Sequence, residues 1–377
     1  IPFFKVSDMN NSANLRSMRV AANRVDDDAM SAMKARVHPA GTVIFPKVGA
    51  ALLTEKRRIL TEPSTFDNNV MGLIPGPQII AEFLLILMER VTLGQVAQQG
   101  AVPSVNQGHL RPIAVSLPPL CEQRRIVSVI VGMEAHVEAL TEEIKAQRRA
   151  LSRVLADHFE GVVGDEHTVT DLCTLVVGGI WGSPEGENEC DLLALGPRIY
   201  TPGTTDFVTD GSPMRWFSAK QTHSRLVRPN DIILERSGGS PEQPVGRVVI
   251  ASQGLAPCIP TDFQRLLRPD DLRVEPRYLF WRLQHDWNSG RTRDFSRRTT
   301  GITNLSVKDY IGRAISVPSR EDQVALVAVA DRIDAMIRSQ KAELADLRNF
   351  RSTLPSALLN QEIEIPESYD DLLEAES

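Results

Sequence analysis

Ser116-Leu117-Pro118-Pro119-Leu120-Cys121-Glu122-Gln123 returns two hundred residues later as Ser316-Val317-Pro318-Ser319-Arg320-Glu321-Asp322-Gln323. Ser, Pro and Gln keep their places. The ungapped match continues through Val127/Val327, Val129/Val329, Ala135/Ala335, Glu143/Glu343 and Arg148/Arg348. A long internal period means a duplicated unit, and the fold class follows from what surrounds each copy.

A helical pattern follows each proline. In the first copy, apolar residues fall at Ile126, Ile130, Met133, Val137, Leu140, Ile144, Leu151 and Val154. The steps alternate between four and three, with Gln147 filling the one gap. In the second copy, Leu326, Ala330, Ile333, Ile337, Leu344, Leu347, Leu354 and Leu358 hold the same register, with Gln340 and Arg351 at polar seam positions. An apolar seam repeating every 3.5 residues predicts two helices that pack on each other as a coiled coil. The seams are 29 and 33 residues long, or roughly 45–50 Å at about 1.5 Å per residue. Two separate surface helices are the plainer alternative. Pro118 and Pro318 stand where proline borders a helix without breaking it.

Upstream the copies correspond more loosely. Phe83-Leu84 and Met88 echo Tyr278-Leu279 and Leu283. Pro39 to Phe45 and Pro229 to Leu234 both read as a turn followed by a β-rich strand. The expected class is α+β: two globular domains, each followed by a long helix, the helices pairing antiparallel. Boundaries fall at 1–117, 118–160, 161–317 and 318–361, with an acidic tail at 362–377. The first domain reads as short at its front if Ile1 to Asp8 is aligned with the segment around Trp216.

Composition sets limits. The 42% apolar and 24% charged residues describe an ordinary globular protein. Four widely spaced cysteines without a C-x-x-C pair argue against a thiolate zinc site and a disulfide scaffold, and suit a reducing cytoplasm. The most apolar run, Ile79 to Met88, contains Glu82 and is too short to span a bilayer. The net charge of −6 is unevenly placed: Glu362, Glu364, Glu367, Asp370, Asp371, Glu374 and Glu376 crowd the end of the chain. Without them acids and bases nearly balance, so local patches decide any contact with nucleic acid.

Two variable α+β units, each closed by a proline-and-glutamine turn and then a long helix, resemble the specificity subunit of a type I restriction-modification system. The resemblance extends to about Gln361, and Pro118-Pro119-Leu120-Cys121-Glu122-Gln123 is its most specific local element. The second turn departs from the pattern at Asp322. The resemblance implies that each unit is a target recognition domain reading half of a bipartite DNA sequence. The helix pair would set the gap between the halves. It also implies no catalysis by this chain, docking of two adenine methyltransferase subunits that use S-adenosylmethionine, and recruitment of translocating nuclease subunits. A coiled-coil scaffold for protein partners, without sequence-specific DNA reading, is the alternative.

The densest basic run outside the helices is Arg291, Arg293, Arg297 and Arg298, leading into Thr299, Thr300 and Asn304. Arginine's planar fork suits phosphate or the edge of guanine, and hydroxyls suit phosphate oxygens. A solvated arginine-rich loop is the competing reading. Asn106 and Gln107 occupy the corresponding place in the first unit, as contacts or as turn-formers. Lys56, Arg57 and Arg58 follow a strand-like run ending near Leu53. Lys220 and Gln221 belong to a polar loop expected to face outward, and Arg236 precedes a Ser237-Gly238-Gly239 turn. Arg124-Arg125 and Arg148-Arg149 are expected to face solvent or a partner. No cofactor-binding glycine motif or Asn/Asp-Pro-Pro-aromatic loop occurs, so the chain itself carries no legible catalytic constellation.

Overall fold

The computed structural model describes all residues except 99, 202–204, 206, 240–242, 299–301 and 376–377. In chain order the first part holds β1 (Pro2–Phe4), β2 (Ser17–Met18), β3 (Asn23–Arg24), α1 (Asp27–Met33), β4 (Val43–Pro46), α2 (Gly49–Leu52), β5 (Arg58–Leu60), β6 (Thr65–Phe66) and β7 (Val70–Leu73). Then come α3 (Ala81–Glu89), α4 (Leu93–Val96), α5 (Gln107–Leu110) and the long α6 (Leu120–Gly161). The second part holds β8 (Asp165–Thr168), β9 (Cys173–Gly178), β10 (Cys190–Leu195), β11 (Met214–Phe217), α7 (Ala219–Arg225), β12 (Ile232–Glu235), β13 (Ser237–Gly238), β14 (Val248–Ile250), β15 (Cys258–Pro260) and β16 (Gln264–Pro269). It continues with α8 (Pro276–Asn288), β17 (Ser296–Arg298), β18 (Thr303–Leu305), α9 (Val307–Ile311), β19 (Ala314–Val317) and the long α10 (Arg320–Leu359), before α11 (Asp370–Ala375).

The chain divides into two compact units, Ile1–Ala139 with Leu344–Ser377, and Leu140–Glu343. Each therefore combines one globular part with a portion of both long helices. In the first unit Ile126 and Ile130 near the start of α6 share a core with Leu354 and Leu358 near the end of α10. In the second, Val154 and His158 near the end of α6 line a cleft with Ala325 and Leu326 near the start of α10. The helices pack against each other antiparallel, as the seam periodicity predicts. Ile126, Ile130, Leu140, Ile144, Leu151, Leu326, Ile337, Leu344 and Leu354 are buried, and Met133, Val137, Ile333 and Leu347 are half-buried. Arg351 tolerates its seam position because Glu134 receives it at 2.5 Å.

The repeated glutamine has a structural reason. Gln123 is buried, accepts the backbone N–H of Ile80 at 2.9 Å and donates to the Pro118 carbonyl at 2.8 Å. Gln323 accepts the N–H of Glu275 at 2.8 Å and donates to the Pro318 carbonyl at 2.9 Å. Ile80 and Glu275 are the N-cap residues of α3 and α8, so one amide joins two helix starts and satisfies groups both would leave open. That demand fixes Pro and Gln at the same spacing in both copies.

The sheets repeat as well. β1 lies between antiparallel β3 and parallel β6, and β10 lies between antiparallel β11 and parallel β15. β4 pairs antiparallel with β5 and β7, as β12 does with β14 and β16. The counterpart of Pro2–Phe4 is thus β10, whereas the strand at Trp216 matches β3. This corrects the alignment expected from sequence; β8, β9, β13, β17, β18 and β19 have no paired counterparts among the described strands of the first unit. Near the chain end, Asp370 receives a two-pronged contact from Arg125 at 2.7 and 2.6 Å. Arg125 is therefore buried and engaged within the unit rather than facing solvent.

Candidate nucleic-acid interface

Strand pairing in the second unit gathers residues that are far apart in sequence. β18 lies between β13 and β17, with Ser237 and Arg297 both opposite Asn304, and Gly238 and Arg298 both opposite Thr303. Arg297 and Arg298 are exposed on this small sheet and make no ion pair with any described residue. Ser237 Oγ lies 2.6 Å from Asn304 Oδ1, which orients that amide. Gly238 is part of a strand rather than of the expected turn. At its φ of +149°, an added Cβ would stand 2.5 Å from Glu235 Oε1, so only glycine fits. Glu235 is itself buried and held by Arg247 at 2.6 and 2.9 Å, giving the sheet a fixed base.

Beside the sheet runs a groove of about 510 Å³, lined by Gly178, Arg236, Arg265, Leu305, Ser306 and Lys308 among others. Burial pushes the Arg265 guanidinium below its ordinary range, the neighbouring Arg236 pushes the same way, and only Asp262 opposes them. Adjacent cations with so little compensation favour an incoming anion. Sequence reasoning found Arg236 and missed Arg265 and Lys308. Nothing in Gln264–Pro269 separates Arg265 from Arg268, although Arg268 is sequestered by Asp231 at 2.7 and 2.8 Å.

The other candidates are dispersed. Arg291 lies 3.9 Å from the fully buried Asp286, which also takes Arg313 and stands 3.5 Å from Arg282, so Arg291 faces a structural carboxylate. Arg293 is exposed. Thr299 and Thr300 lie outside the described residues. Lys220 is exposed on α7, a helix where a loop was expected, and Gln221 closes the capping box with Ser218.

In the first unit Arg57 is a correction: it is buried and donates to Glu55, whose carboxylate is 2.6 Å away, and to the Val91 carbonyl. Arg58 donates to the backbone carbonyls of Asn14, Met9 and, at 2.7 Å, Arg57, while Lys56 reaches Asn10. The run before them is α2, not a strand. Asn106 caps α5 by accepting from the His109 N–H, and exposed Gln107 begins that helix. Among the described residues, no group of histidines, cysteines and carboxylates could hold a metal ion, and no helix is long and apolar enough to cross a membrane.

Two α+β units that share the strand pairing of two sheets, each closed on a share of the same helix pair, define a duplicated two-unit class of fold. Residues 1–147 match the family model of the type I restriction modification DNA specificity domain. Two solved structures have a similar fold. One is a chain from the structural basis of complex assembly and conformational transition of the type I R-M system, 19% identical over 95% of this chain and 90% of that chain, with a TM-score of 0.58. The other is the type I restriction-modification system S subunit from M. genitalium, 15% identical over 95% of this chain and 88% of that chain, with a TM-score of 0.54. The resemblance to type I specificity subunits read from the paired turns is borne out by the match over residues 1–147, and the similarity of fold extends over the chain.

Proposed function

We propose that this chain is the non-catalytic DNA-reading subunit of a cytoplasmic type I restriction-modification complex. Residues 1–117 and 161–317 would each read one half of a bipartite target, and the helices at 118–160 and 318–361 would set the gap and dock two adenine methyltransferase subunits. S-adenosylmethionine would be bound by those partners, with translocating nuclease subunits joining them. The observation that carries this reading is the recurrence, in the second unit, of the strand pairing found in the part that matches the DNA specificity domain. In the second unit the arginines of β17, with Arg236, Arg265 and Lys308, supply cations for the phosphate backbone.

The test is a methylome. The chain is co-expressed with its methyltransferase in a methylation-free host, and N6-methyladenine is mapped by single-molecule sequencing. A two-part motif with a fixed gap is expected. A one-part motif would remove the first unit from DNA reading, and partner binding without any motif would favour the scaffold alternative.

A further inference from the structure

The exposed aromatic rings of the second unit gather beside its arginine sheet. Among the described Phe, Trp and Tyr side chains of that unit, Trp181 and Phe263 alone are exposed, at 42% and 39%. They are far apart in sequence, yet the segments that carry them touch. The Ile180 N–H donates to the Pro260 carbonyl at 2.8 Å, and the Gly179 N–H to the Gln264 carbonyl at 3.2 Å. A Cβ at Gly179 would stand 2.0 Å from the Thr261 carbonyl oxygen, so glycine is what lets the two segments meet. Ile180 packs inward against the core of Ala194, Phe217 and Ile259, while its neighbour Trp181 stays outside.

Both rings stand on fixed backbone among cations. Phe263 occupies the turn between β15 and β16, pinned by the fully buried Thr261 and Gln264. The Gln264 side chain accepts the Thr261 N–H at 2.9 Å and donates to the Gly196 carbonyl at 3.0 Å. The Phe263 carbonyl accepts the N–H groups of Arg236 and Ser237 at 2.7 and 3.2 Å. That ties the turn to β13, in the sheet that carries Arg297 and Arg298, with Arg265 two residues further along β16. Arg215 backs the Trp181 ring, its guanidinium carbon 5.5 Å from the ring centroid, and donates to the Gly182 carbonyl at 3.2 Å. Cations on the phosphate backbone position a duplex without reading it, whereas apolar rings held on rigid supports engage base faces and thymine methyls.

We propose that Phe263 and Trp181 are sequence-determining residues of the second unit, making apolar contact with bases of its half-site while Arg236 and Arg265 hold flanking phosphates. The inference rests on the DNA-reading proposal and names side chains that do the reading.

The test joins the methylome to duplex binding by the full chain, on the wild-type motif and on an unrelated duplex. Phe263→Ala and Trp181→Ala should each bind the motif about tenfold more weakly, with affinity for the unrelated duplex and the slope against salt unchanged. Each should also accept more than one base at a position in one half-sequence and leave the other half intact. Arg265→Ala is the contrast: it should weaken binding to both duplexes and flatten the salt slope by about one. Phe263→Leu, which keeps apolar bulk at the turn, guards against local unfolding; it should retain the unrelated-duplex affinity and still alter the motif. Motif and affinity unchanged in the Phe263 and Trp181 variants would overturn the proposal and leave DNA reading in place. An equal loss on both duplexes in Phe263→Leu and Trp181→Ala would overturn it too, marking the rings as supports. Absence of any motif with the unsubstituted chain would instead remove the DNA-reading proposal, and this one with it.

Discussion

Cys121 is exposed at the start of α6, whereas burial pushes the thiols of Cys173 and Cys258 up to about 12, with Asp231 acting in the same direction. The thiolate is the reactive species, so at pH 8 an alkylating reagent should modify Cys121 well before Cys173 or Cys258. Peptide mass spectrometry over a time course checks this, and early labelling of Cys258 would contradict its burial. His158 and His285 make a second residue-scale case. Burial holds both imidazoles below the ordinary 6.5; Arg282 pushes each further down, against Asp322 for His158 and Glu160 for His285. Below about pH 6.5 the unfolded chain then takes up protons that the folded chain resists. Stability should fall as pH drops from 7 toward 5, read as a lower thermal midpoint, and a rise on acidification would be the wrong sign. Individual contact residues were the least legible feature of the sequence. Arg57 and Arg297 each sit in a basic run, yet one guanidinium is buried against carbonyls and the other is exposed on a strand. Nothing local separates them, because partners such as Val91 are distant along the chain.

At the scale of elements, the two glutamines offer the sharpest test. Gln323→Leu keeps the volume but strands the Glu275 N–H and the Pro318 carbonyl, both now answered by one amide. Unsatisfied buried groups of this kind cost about 1–3 kcal/mol each, so urea unfolding should show a loss on that order. A neutral substitution would mean water reaches the helix start. Leu140→Asp tests the seam in the same assay, since an unpaired charge at a buried position should destabilise the helix pair. The long helices and the paired turns were legible because their periodicity repeats over many turns and because a buried amide tolerates little change. The short strands were not. β2, β3, β6 and β13 have two residues each, and they exist through pairing with distant segments rather than through any local pattern. The alignment of the chain start failed for the same reason: only pairing shows that Pro2–Phe4 plays the part of β10.

At the scale of the whole molecule, the DNA-reading proposal makes separable demands on surface and spacer. Replacing Arg297 and Arg298 with alanine should weaken DNA binding by the second unit. If both touch phosphates, the slope of affinity against salt should flatten by about one for each lost contact. Unchanged affinity would remove β17 from the interface. The spacer is tested by length. Deleting one heptad from both long helices, in register, preserves the seam and removes about 10 Å of helix, which corresponds to about three base pairs of duplex. The methylated motif should then keep both half-sequences and lose about three positions from its gap. Altered half-sequences with the gap intact would instead show that the helices shape the reading surfaces themselves. Such a result would reject the spacer role while leaving the recognition units in place.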